Sequence, residues 1–279
     1  MSFTVPEEIS MIVSSDPQNG ARNRSKDGSY FEVQLEDGLK IPKDALNVNI
    51  SVEEATVWWT IPNIITGQND KLYITGPDTS DVIQNYVITI PQGLYNLSGI
   101  NEAMIRELEA AGAKIDPDPL ITLSPDEATQ KCELRFNYAT VSIDFTHNDT
   151  PRLILGFNSQ VYSAVPTNPI LAPNTAEFNQ VNYLLIHSDL TNKGIRFNNS
   201  YNQTIGQVLI DVPPGSQIVS RPFNPARISA QELAGTTRTN LRFWLTDDEN
   251  RRINTNGEYW SGRIVIKYLK PFVIEKTLQ

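Results

Sequence analysis

Asn240-Leu-Arg-Phe-Trp-Leu-Thr-Asp-Asp-Glu-Asn-Arg-Arg-Ile-Asn-Thr-Asn-Gly-Glu-Tyr-Trp-Ser-Gly-Arg-Ile-Val-Ile-Lys-Tyr-Leu269 reads as two long strands with a polar crossing between them. Leu241, Phe243 and Leu245 alternate with Arg242, Trp244 and Thr246, the period-two pattern of a half-buried strand. Asp247-Asp248-Glu249-Asn250 breaks the run, and Asn254-Thr255-Asn256-Gly257 supplies residues that tolerate positive φ. Ile264, Ile266 and Tyr268 then alternate with Arg263, Val265 and Lys267. A chain that finishes on two such strands completes sheets begun at its other end, and Tyr30 to Ile41 carries the matching alternation.

Working outward, Leu46 to Ile61 is a long strand whose apolar phase changes. Val48, Ile50 and Val52 share one parity, but Ala55 and Val57 have the other, which predicts a bulge or bend near Glu53-Glu54. Shorter strands follow at 71–75 and 86–90. One helix stands out: Ile100, Met104, Leu108 and Ala111 form an apolar stripe, Asn96 or Ser98 can cap its start, and Gly112 sits where a helix stops. A hairpin over 120–136, a strand at 140–145 and a helical turn at 151–157 complete an α+β unit. After a Pro-rich crossing (Pro166, Pro169, Pro173) the chain is all strand.

The pattern predicts a mainly β protein, a jelly-roll β-sandwich with an inserted small α+β domain. The expected division is an N-terminal arm over 1–29, the jelly roll over 30–84 and 160–270, the insert over 85–159, and a tail over 271–279. The arm ends in a small basic cluster, Arg22, Arg24 and Lys26, its candidate contact residues.

Composition narrows the function. The 279 residues carry a formal net charge of −9, which argues against a nucleic-acid binder except through the arm, because phosphate contacts need clustered cations. Cys132 is the only cysteine, so neither an internal disulfide nor a thiolate metal cluster can form. The first fifteen residues lack the basic and apolar regions of a signal peptide, and no apolar run is long enough to span a membrane. A soluble protein made in a reducing compartment is expected.

No catalytic, cofactor-binding or metal residue is assigned. His147 and His187 have no partner at metal spacing, no Gly-x-Ser-x-Gly elbow or phosphate loop occurs, and Asp247, Asp248 and Glu249 lack the spacing and central glycine of a calcium loop. Trp58 and Trp59, adjacent in a strand, point to opposite sides, so one is free for a neighbour or a glycan.

The C-terminal stretch resembles the end of penton-type minor capsid proteins of virophages, polinton-like viruses and related tailless double-stranded DNA viruses. Further fragments resemble the same family in the same order: Phe31-Glu-Val-Gln-Leu35, Trp59-Thr-Ile-Pro-Asn-Ile64, Ile88-Thr-Ile-Pro-Gln-Gly-Leu-Tyr95, Leu153-Ile-Leu-Gly-Phe157, Asn174-Thr-Ala-Glu-Phe178 and Asp211-Val-Pro-Pro-Gly215. Together they run from about residue 30 to 268. The resemblance implies a structural capsid protein, five copies of which plug an icosahedral vertex. Its implied partners are further copies of itself, the surrounding major capsid proteins and, where present, a vertex spike. No enzyme activity, cofactor or small-molecule substrate is implied, and assembly takes place inside the host cell. The loops at 62–70, 166–173 and 221–226 offer contact material, with Ile64, Ile65, Ile170, Leu171 and Phe223 as candidate subunit contacts. The alternative is a viral spike or glycan-binding β-sandwich using Trp58, Trp59 or Trp244.

Overall fold

A computed structural model describes residues 2–164, 169–179, 181–197 and 200–273. The chain divides into two compact units, one made of Met1–Ile61 with Val181–Gln279, the other of Pro62–Gln180.

The first unit is a sandwich of two antiparallel sheets. Its first sheet has the order β1 (Ser2–Ser14), β19 (Ser261–Val273), β4 (Leu46–Trp58) and β16 (Gln217–Ser220), with β17 (Ile228–Ser229) also pairing on β4. The second runs β15 (Thr204–Leu209), β12 (Tyr183–Ser188), β18 (Thr237–Thr246), β3 (Tyr30–Lys40) and the short β2 (Ala21–Arg22). A two-residue pair, β13 (Arg196–Phe197) with β14 (Ser200–Tyr201), lies outside both. Taking the eight main strands in chain order, first, eighth, third and sixth make one sheet, and second, seventh, fourth and fifth the other. That interleaving of two Greek keys is the jelly roll.

The two C-terminal strands therefore complete different sheets. β18 pairs with β3, setting Phe243 opposite Phe31, and β19 pairs with β1 over its full length. Between the sheets, Phe31 stacks on Phe243 at 5.6 Å and meets the edge of Trp260 at 4.9 Å. Burying side chains of this size contributes on the order of 2–3 kcal/mol each. The phase change in β4 has the expected cause. Arg263 faces Glu54 and Ile264 faces Val52, so Glu53 is an extra residue, and the buried positions switch from Val48, Ile50 and Val52 to Ala55 and Val57. Next to that bulge Gly206 of β15 packs on Val52, with only 2.8 Å between an added Cβ and the valine side chain.

The expected N-terminal arm is corrected. Ser2–Ser14 is the first jelly-roll strand, held by thirteen residues of register with β19. Pro6, Glu7 and Glu8 obscure its alternation because it is an edge strand, where charge and proline are tolerated and guard against unwanted pairing. The expected tail over 271–279 is corrected in the same way for Pro271–Val273, which belong to β19; its remaining positions, 274–279, lie outside the described residues.

The second unit begins and ends further out than residues 85 and 159. β5 (Lys71–Pro77), expected in the jelly roll, joins β6 (Ile83–Thr89), whose residues 85–89 fall in the expected insert, with β9 (Ser142–Asp144) and β10 (Val161–Ser163) in the order β10-β9-β5-β6. A second sheet is formed by β11 (Ile170–Leu171), β8 (Lys131–Phe136) and β7 (Ile121–Asp126). Helix α1 (Leu97–Ala110) starts at Asn96, whose side chain accepts from Gly99 N at 2.8 Å, and stops before Gly112 at φ 82°. Its stripe of Ile100, Ala103, Met104 and Leu108 packs in one core with Leu72, Ile74, Tyr86 and Ile88. This shared core is the physical reason β5 belongs here with β6. The helical turn α2 (Arg152–Leu155) ends at Gly156, φ 80°. Nearby, Phe145 stacks on Phe157 at 5.2 Å.

Candidate assembly surfaces

The predicted contact residues do not form one surface. Phe223 is wholly exposed, at 106% of its reference area. Ile64 is corrected: it is 0% exposed and belongs to the core of the second unit, pinned by hydrogen bonds in both directions with Gly93. Ile65 beside it is half-buried. Ile170, opposite Leu134 in the β11–β8 pair, packs partly against the same core, whereas Leu171 is exposed. Of the proline loop, Pro166 lies outside the described residues.

The basic cluster is not carried on an arm. Arg22 lies in β2 and bonds the Gln34 side chain. Arg24 donates to the carbonyls of Gly257 and Glu258 at 3.1 and 3.0 Å and sits 4.8 Å over the Tyr259 ring. Its charge fastens the 21–28 segment to the loop before β19. Lys26 is exposed.

A surface that composition alone did not reveal lies at the end of the first sheet. β1 and β19 run past the start of β4, where Leu269 faces Leu46. Beyond that point Phe3 stands opposite Phe272, 49% and 55% exposed. Val5 and Leu46 add to this apolar end. On the opposite face Lys267 bridges Glu8 at 3.2 Å and Glu53 at 3.5 Å, and Ile12 is exposed further along β1.

The polar crossing after β18 folds back on the second sheet. Asp247, 5% exposed, accepts from the backbone of Glu249 and Arg251 and from Arg251 Nε at 2.8 Å. Its oxygens are engaged in closing this turn. Arg252 then lies over both Trp244 and Tyr30, 5.4 and 5.3 Å from their ring centres. Tyr30, Trp244, His187 and Thr204 face one another across four successive strands. His187 bonds Thr246 Oγ1 at 2.8 Å and Thr204 Oγ1 at 3.1 Å, and burial, followed by the charge of Arg252, pushes its pKa down to about 4. Glu32 is held at about 2 by hydrogen bonds from Tyr30, Asn240 and Asn23. Burial, reinforced by the Glu32 bond, pushes Tyr30 up to about 12.

Trp59 and Trp260 are buried and Trp58 is half-buried, in keeping with adjacent residues pointing to opposite sides. In the second unit, His147 stacks on Tyr73 at 3.8 Å, and Tyr73 bonds Asp149, which also pairs with Lys71 at 3.3 Å. Cys132 is buried and its thiol is pushed up to about 12, far from the reactive range. Among the described residues no group of three or more His, Cys, Asp or Glu is placed to hold a metal ion, and no helix is long and apolar enough to cross a membrane.

No protein-family description matches this chain, and no curated protein matches it. Among solved structures, the crystal structure of the selenomethionine-labelled mavirus penton protein is similar to it. That similarity spans 95% of this chain and 100% of that one, at 12% identity and a TM-score of 0.48.

Proposed function

We propose that this chain is a structural capsid protein of the penton type, five copies of which close a ring at an icosahedral vertex and contact the surrounding major capsid proteins. The support begins in the sequence, where fragments resembling that family follow one another in order from about residue 30 to 268. It continues in the architecture, an eight-stranded jelly roll whose chain leaves after β4, builds an α+β unit over 62–180 and returns as β12.

The observation that carries the reading is the apolar material a lone subunit leaves in water. Phe223 is fully exposed, and the Phe3–Phe272 pair projects past the end of β4. Large apolar side chains left exposed at the end and at the side of a sandwich mark contact with other protein. In a ring, one face of each subunit meets a different face of the next, so two dissimilar surfaces are required. The β1–β19 end and the 221–226 loop are two such surfaces.

Sedimentation equilibrium of the purified chain over a wide concentration range tests this. The expected result is a species of five times the 31.3 kDa chain mass, weakened when Phe3 and Phe272 are both changed to Ser. A dimer, or a monomer that stays monomeric beside purified major capsid protein, contradicts it.

A further inference from the structure

We infer that Phe223 of one copy seats in a cavity at the side of the jelly roll of a second copy. The cavity arises from a gap in the edge of the first sheet. β16 covers β4 from Ala55 to Trp58 and β17 covers Asn49 and Ile50, so Ser51 to Glu54 have no strand on that side. The chain between β16 and β17, residues 221–227, loops over the gap instead of closing it. Beneath the loop is a cavity of about 180 Å³ whose walls include Val52 and Ala55 of β4, Ile205 of β15, and Pro222 and Ala226 of the loop, with Gln207 and Ser220 adding polar groups at its margin. The bulge at Glu53 interrupts β4 beside the gap, and Gly206 lets β15 approach Val52 closely at the cavity floor.

The cavity fits a phenyl ring. An apolar protein cavity of about 150 Å³ takes up benzene, and this one is of similar size, with aliphatic walls from Val52, Ile195 and Ile205 and polar groups from Gln207 and Ser220. Among the described residues Phe223 is the most exposed large apolar side chain, and it stands on the loop that borders the cavity. It does not fill the cavity of its own chain: Pro222 and Ala226 line the opening while the residue between them projects into solvent. Two prolines, Pro222 and Pro225, limit the turning of the loop. Arg221 ties its base to Glu54 at 2.9 Å. A second copy can therefore supply the ring that the first cannot turn inward. Because this contact concerns two copies of the chain, it stands or falls apart from the capsid role.

The test uses sedimentation velocity of the full chain at rising concentration with two loop variants at exposed positions, neither of which disturbs the core. Phe223→Ala removes the ring but keeps the cavity; Ala226→Leu narrows the cavity but keeps the ring. The expected result is self-association of the wild type, at least a tenfold weaker association of each variant alone, and partial recovery on mixing the two, since the mixture contains one intact ring and one intact cavity. Association of Phe223→Ala equal to wild type overturns the inference even if a pentamer forms. So does a wild type that does not self-associate, or a mixture that shows no recovery. A wild type that associates through this contact but occupies no capsid vertex would leave the inference standing and remove the capsid reading.

Discussion

Trp244 lies flat against His187 on the neighbouring strand, ring centres 5.3 Å apart and planes 3° from parallel. The histidine is 2% exposed, and both its ring nitrogens are engaged by threonine hydroxyls. The folded protein therefore holds it neutral.

This predicts a pH window for stability. When unfolded, the ring takes up a proton as pH falls through 6.5; when folded, it resists until about 4. The stability it lends is complete above 6.5, is lost progressively as pH falls toward 4, and changes no further below that. The loss across the window is about 3 kcal/mol at most. Urea unfolding of wild type and His187→Gln at pH 7.5 and 4.5 checks it. The wild type should lose more stability than the variant; equal losses would assign the pH dependence to other groups.

Asp247 should act as the clasp of the crossing between β18 and β19. Asp247→Ala leaves the Glu249 and Arg251 amides without their acceptor and is expected to cost about 1–3 kcal/mol. Hydrogen exchange should accelerate over residues 247–256 and remain unchanged over 121–136 of the second unit. Added calcium should not protect this loop in the wild type, since its carboxylate is already engaged by backbone and arginine.

Removing residues 1–15 should be far more damaging than trimming a loose arm. It strips a strand from the first sheet, uncovers β19, and takes away Val13 from the core. The truncated chain is expected to be insoluble or to melt at least 10 °C lower. A truncated protein with wild-type thermal unfolding would return these residues to the status of an arm.

Gly156 should be intolerant of a side chain. It ends α2 at φ 80°, and an added Cβ would lie 2.4 Å from the backbone oxygen of Asn174. Gly156→Ala is expected to destabilise the second unit by about 2 kcal/mol or more. Gly112→Ala, at a similar φ but with open space around it, should cost only about 1–2 kcal/mol.

These sites show which parts of the structure local patterns could specify. The helix stripe with a cap at Asn96 or Ser98, a bulge near Glu53-Glu54 and the two C-terminal strands are written in alternation and capping over a few residues. β1 was legible only over Ile9 to Val13, because proline and charge, tolerated on an edge strand, interrupt the rest and its partner lies some 250 residues away. Ile64 follows a Pro-Asn pair and looks like loop, yet its backbone bridges to Gly93 and its side chain enters the core of the second unit. Its burial depends on that distant contact, as does the placement of β5, whose alternation suits either unit. The cavity beneath the 221–227 loop results from the spacing of two short strands on β4, which no local sequence pattern records.

The central claim, a vertex protein, is tested most directly by an icosahedral reconstruction of the particle that contains this chain. Five copies of the two-unit fold around each fivefold axis, with Phe3 and Phe272 at a subunit contact, is the predicted result. Vertices built from a different protein, or this chain located away from them, would contradict it.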